Sequence, residues 1–174
     1  FQGRRLGGDQ PQDDATILNT SSILISAATL SLNNNSSLQR AIYDRVGDTT
    51  PITLRAGTIS FSGKVSDPST ETMGAVTAAQ GANAISVSVG FTGTAGAFDS
   101  ADVTFASLDR QPGATVNFSA TNMGSVGNSA RIYFTAPLTT TGTGVLGPWA
   151  IANSTDYVGY NATNGVGVVG AGAY

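Results

Sequence analysis

The sequence predicts an all-β chain folded as a right-handed β-solenoid, and three observations carry that prediction. Four short stretches are versions of one another: AATLSL at 27–32, AGTISF at 56–61, GANAISV at 81–87 and GATVNF at 113–118. A unit recurring every few dozen residues marks a stacked repeat, each copy laid on the last. Within each copy apolar and polar side chains alternate, which is the strand period. The composition agrees: of the 174 residues 22 are Gly, 11% are charged, and there is one Lys (Lys64) and one Glu (Glu71). A chain so poor in helix formers and so rich in Ser, Thr and Asn reads as β throughout. A β-sandwich is the alternative, because its strands alternate in the same way.

Residues 1–14 (FQGRRLGGDQPQDD) are polar, Gly-rich and charged around Pro11, and read as an extended arm or linker. Residues 15–136 read as the repeating rungs. The best internal match has an offset of 29, with ILISAATLSL (23–32) over ITLRAGTISF (52–61). Further copies are expected to begin near Val76 and Phe105, the spacing drifting between 24 and 32 residues as loop lengths change. Alternation puts Leu30, Leu32, Ile59, Phe61, Ile85, Val87, Val116 and Phe118 on one face. Thr29, Ser31, Thr58, Ser60, Ser86, Ser88, Thr115 and Asn117 fall on the other. Stacked about 4.8 Å apart, the first set fills an interior and the second builds an outward ladder of hydroxyls and amides. The Gly or Ala before each strand fits a corner where the backbone turns tightly. Residues 137–174 read as a terminal β-rich segment of the same domain, with a strand at 131–135 before it, three short strands in 145–169 and a hairpin turn at Asn164-Gly165.

Several function classes drop out on composition. The net charge is −3 and no basic stripe exists, so nucleic acid is not an expected partner. There is no Cys and no His, which removes thiol chemistry, imidazole bases and the usual zinc and haem ligands. No apolar run approaches the roughly 18 residues of a membrane span, so no membrane insertion is expected of this segment. The absence of Cys fits a bacterial exterior protein independent of disulfides as well as a reducing compartment. The chain opens at Phe1 without a leader, which reads as a processed product or an excised piece.

The strings ETMGAVTAAQGANAISV (71–87), VTFASLDRQPGATVNFSATNMG (103–124), RIYFTAP (131–137) and GTGVLGPWAIANSTDYVGYNATNGVGVV (142–169) resemble, in the same order, segments of autotransporter-associated β-strand repeat proteins. The resemblance runs over about residues 41–174, and is most specific at GATVNFS (113–119) and from Gly147 to Tyr160. It departs from the family pattern at Pro148, where a second Gly is usual, and at Gly159, where Ala or Ser is commoner. The resemblance implies an exported, right-handed β-helical passenger segment of a large bacterial surface protein, with no catalytic motif to transfer.

The candidate sites are few. Asp99, Asp102 and Asp109 with Arg110 form the densest charged cluster, the residue types a solenoid glycosidase or lyase would use, but at positions where Asp is ordinary turn chemistry. Asp13-Asp14 and Asp44/Asp48 are the places where calcium, the one cofactor considered, would find oxygen ligands. Trp149, Tyr157 and Tyr160 could present aromatic faces to a sugar, as could the ladder residues Thr58, Ser60, Thr115 and Asn117 through their polar groups; core packing and a solvated face are the plain alternatives. The expected function is therefore structural rather than enzymatic: a component of a bacterial cell-surface or extracellular fibre or adhesin stalk, associating with itself or with neighbouring repeats by end-to-end β-stacking. A carbohydrate- or host-binding module carried on the solenoid, with surface glycans as partners, is the second expectation.

Overall fold

The computed structural model describes residues 16–35, 41–90, 99–125 and 127–170. All regular structure among them is β, with no helix. The chain winds through three parallel sheets, one strand of each per turn. A partial first turn supplies β1 (Ile23–Ser26) and β2 (Thr29–Asn33). Three complete turns follow: β3 (Ile52–Arg55), β4 (Thr58–Gly63) and β5 (Ser69–Met73); β6 (Val76–Gln80), β7 (Ala82–Val89) and β8 (Ala101–Phe105); β9 (Leu108–Arg110), β10 (Thr115–Ala120) and β11 (Ala130–Phe134). Sheet I stacks β1, β3, β6 and β9, sheet II begins β2, β4, β7 and β10, and sheet III stacks β5, β8 and β11. Every pairing among these eleven strands is parallel, which makes the chain a β-solenoid and sets aside the largely antiparallel sandwich.

The first repeat offset is met residue for residue. Ile23 pairs with Ile52, Thr29 with Thr58 and Leu32 with Phe61, each 29 apart. Val76 does open the next copy, opposite Ile52. The following one opens at Leu108 opposite Val76, not near Phe105, which ends β8. GATVNF is also displaced: Phe118 stacks on Ile85 and Val116 on Asn83, two residues from the simple superposition of the motifs. A slip of two keeps every side chain on its own face, so the inward and outward sets survive while their stacking partners change.

The turn from sheet I to sheet II uses the same device on each rung. Ala27, Ala56, Gly81 and Gly113 all adopt positive φ, from 46° to 85°, directly at the corner. The left-handed conformation reverses the chain in one residue; glycine takes it freely and alanine at a steric cost. Inside, Phe61, Phe105 and Phe118 are fully buried among Ile52, Leu54, Ile59, Ile85 and Ile132. Aromatic contacts continue towards the last rung, with Phe134 stacked on Phe105 and set edge-on to Phe118.

The two ends differ. After β11 the chain returns to sheet II as β12 (Ala150–Ala152), parallel to β10. It then reverses into β13 (Asp156–Asn161) and β14 (Gly165–Val168), which are antiparallel. The β13–β14 connection is longer than an Asn164-Gly165 two-residue turn: Asn161 pairs with Gly165, and the Asn161 side-chain oxygen accepts the Thr163 and Asn164 N–H groups. Only Gly165 of the expected pair has positive φ. This hairpin lies across the end of sheet III. A Cβ on Gly165 would fall 2.3 Å from the Ile132 carbonyl oxygen, and the Tyr160 hydroxyl bonds to both backbone groups of Phe134. At the other end, Ile17 bridges Val46 below sheet III, while β1 and β2 have no strand on their outer sides among the described residues.

Candidate functional site

The outer face of sheet II carries aligned columns of small polar side chains. Ser31, Ser60, Ser86 and Ser119 form one column across four rungs. Thr29, Thr58, Ala84 and Asn117 form the next, and Ser62 and Ser88 of a third have hydroxyls 3.2 Å apart. No charged residue interrupts these columns. Thr58, Ser60 and Asn117 are half-buried and Thr115 is exposed opposite Ala82.

At its C-terminal end this face runs into a concavity. An open groove of about 610 Å³ is lined by Pro148, Ile151, Ser154, Thr155, Asp156 and Tyr157. A second hollow, bounded by Thr141, Thr143, Val145, Gly147 and Pro148, adjoins it on the other side of Tyr157. Tyr157 is 53% exposed and lines both hollows. Asn117 anchors the edge: its side-chain amide donates to the Ser154 hydroxyl at 3.0 Å and its oxygen accepts the Ser154 N–H at 2.9 Å. Asp156 accepts the Tyr157 N–H at 2.7 Å. An exposed ring beside hydroxyls and one carboxylate has the make-up of a shallow site for a polar, ring-shaped ligand.

Among the other aromatic candidates, Tyr160 is turned towards the end of the core, and Trp149 packs on the core with the Arg110 guanidinium 5.9 Å from its ring. The acidic cluster read from the sequence is dispersed. Asp99 is buried and accepts the Ser66 N–H. Asp102 holds Arg131 through two bonds of 2.6 and 2.7 Å on the outer face of sheet III. This pairing raises the Arg131 value further above its ordinary range, and burial raises that of neighbouring Tyr133. Asp109 lies on sheet I, bonded to Gln111, and the Arg110 Nε donates to Ala114. Asp13 and Asp14 lie outside the described residues. No group of three or more acidic side chains placed to hold a metal occurs among the described residues, Asp44 and Asp48 included.

The sequence reading missed the most consequential polar residues. Glu71 occupies an inward position on β5, in line with Val103 and Ile132 of the next two rungs. Its carboxylate accepts the N–H groups of Arg45 (3.0 and 3.1 Å) and Val46 (2.8 Å), replacing a strand that is absent there. Arg45 is itself buried and donates to the Asn34 oxygen and to the Asn33 carbonyl. Burial raises the Glu71 carboxyl above its ordinary value; the two N–H groups oppose that rise, Asp44 adds to it and the Arg45 charge opposes it. Asn83 fills the sheet I–sheet II corner, accepting from Gly57 and donating to the carbonyls of Gln80, Gly81 and Thr115. The one available signal was the lone Glu at an apolar-phase position of STETM.

Searches with protein-family models, among curated proteins and among solved structures find no match to this chain.

Proposed function

We propose that the chain is a structural component of the cell exterior, a solenoid segment of a bacterial surface fibre or adhesin stalk whose neighbouring units join by β-stacking. The observation that carries this reading is the in-register stacking of three complete turns on one three-sheet plan. Their inward columns are mainly apolar, with Glu71 and Asn83 as polar members, and the outer face of sheet II carries an uncharged column of Ser31, Ser60, Ser86 and Ser119. The candidates Asp99 and Asp102, and Glu71 beside them, fit it too, since each binds another part of the fold. Parallel stacking satisfies the backbone along a rod and leaves hydrogen-bonding capacity at its ends. The exterior location rests on the low-charge, Cys-free composition and on the family resemblance. Immunogold labelling of intact source cells tests it. Label on projecting surface material is expected; label confined to the cell interior would defeat the reading.

The groove at Tyr157 favours a second reading, a carbohydrate-binding module on the same scaffold. A neutral sugar ring would stack on Tyr157 with Ser154, Thr155 and Asp156 around its hydroxyls. Glycan-array binding that Tyr157→Ala abolishes would favour this reading; no binding by folded protein would remove it.

A further inference from the structure

We propose that the outer face of sheet II is a track for an extended, uncharged polysaccharide, which lies along the solenoid axis with one ring over each strand from β13 back to β4. The proposal rests on the carbohydrate reading of the Tyr157 groove and makes that groove the end of a longer site; it is independent of the stalk reading. Register joins the groove to the face. Asn117 lies opposite Ile151, and Ile151 opposite Tyr157, so the outward row of Thr58, Ala84 and Asn117 runs on to the exposed ring. The alternate residues Val116, Ala150 and Val158 are buried, which fixes the row on the outside.

The relief of this row suits a chain of rings. Ile151 and Tyr157, 39% and 53% exposed, supply apolar contact at one end. Ala84 keeps the middle low, and Ser60, Ser86 and Ser119 run beside it as a second column of hydroxyls. A sugar ring has C–H faces and a rim of hydroxyls, and the two columns offer a counterpart to each. The strand spacing of about 4.8 Å is close to the advance of one pyranose ring in an extended, equatorially linked chain. The groove edge is also held firmly. Its Asn153-Ser154 turn has both residues at positive φ, 48° and 63°, clamped by Asn117 on Ser154 and by the Asn153 side-chain oxygen on the Ala120 N–H. Strain of this kind in residues other than glycine collects at ligand sites.

Charge and size select the class of ligand. No charged residue occupies an outward position of β4, β7 or β10. Asp156 is the carboxylate that lines the groove, and it would repel a uronate or sulfated chain. From β4 to β12 the only large apolar outward side chain is Ile151, too little for the core of a protein interface. The face looks sideways from the axis, so strands added at either end would lengthen the track and leave it open.

Amide NMR titration of the purified chain with neutral, equatorially linked oligosaccharides (cello-, xylo- and manno-series, disaccharide to hexasaccharide) tests it. Perturbed amides should run from Tyr157 through Asn117 and Ala84 to Thr58. Affinity should rise roughly two- to tenfold with each added ring, the worth of one net hydrogen bond, until the strands from β13 to β4 are covered. Ala84→Glu, outward on β7, should leave disaccharide binding as in the wild type and remove the gain from longer chains. Ser86→Lys, outward on the same strand, should act in the same way, and the amide spectrum of each variant reports its fold. Affinity that stops rising at two rings, or amide changes confined to the groove, would overturn the track and leave the single-ring reading standing. A length gain that both variants retain, or tighter binding of galacturonate oligomers than of neutral ones, would also overturn the track. No amide change with any neutral sugar would overturn both.

Discussion

The hydroxyl of Tyr160 stands where the next strand of sheet III would lie: it donates to the Phe134 carbonyl at 2.9 Å and accepts the Phe134 N–H at 3.1 Å. One side chain thus satisfies both outward backbone groups of an edge residue, and its ring lies 6.2 Å from that of Phe134. Tyr160→Phe keeps the ring and leaves both backbone groups without that partner. A loss of about 1–3 kcal/mol is expected, since a buried unpaired group costs that much. Denaturant melts would show it as a lower midpoint with an unchanged slope; an unchanged midpoint would mean that the hydroxyl does not close this end.

The corners make a prediction of opposite sign for two residue types. A Cβ at Gly113 meets nothing within 4 Å, so Gly113→Ala tests its φ of +85° alone and should cost about 1 kcal/mol. Ala56 already bears that strain at φ 50°, and Ala56→Gly should leave stability unchanged or raise it by up to about 1 kcal/mol. Thermal melts of the two variants side by side would decide the matter. Destabilisation by Ala56→Gly would show that the methyl group matters more than the backbone.

Glu71 gives the fold a pH dependence whose sign follows from burial. Its carboxyl value is raised in the folded chain, chiefly by desolvation, so the folded state holds a proton that the unfolded state has already released. The associated cost is full above the folded value, declines as pH falls through it, and is gone below the unfolded value. Glu71→Gln does not titrate. The stability of wild type relative to Glu71→Gln should therefore improve when urea melts are moved from pH 8 to pH 5. A relative stability that worsens on acidification would mean that the bonds from Arg45 and Val46 outweigh burial.

The stack was legible because its chemistry is local. Ile23 over Ile52 and Thr29 over Thr58 follow from strand phase and a corner of constant length between β1–β2 and β3–β4. The start of β9 at Leu108 was not, because a three-residue strand carries little alternation and the change in spacing comes earlier, in the longer stretch between β7 and β8 (90–100, against 64–68 between β4 and β5). Tyr160 and Tyr157 look alike in the sequence, yet one faces the core end and the other the groove. Both lie on β13, and their spacing of three residues along that strand turns them to opposite faces. The network of Asn34, Arg45 and Glu71 spans 11 to 37 residues of loop and strand, which no periodicity reports.

The central claim is that this chain serves as a rung stack in a structural rod, and cryo-electron microscopy of the native surface material tests it most directly. Rods containing the three-sheet cross-section, with strands repeating about every 4.8 Å along the axis, are the predicted result. Native material in which the chain forms compact particles, with no rod extending from either end of the stack, would contradict it.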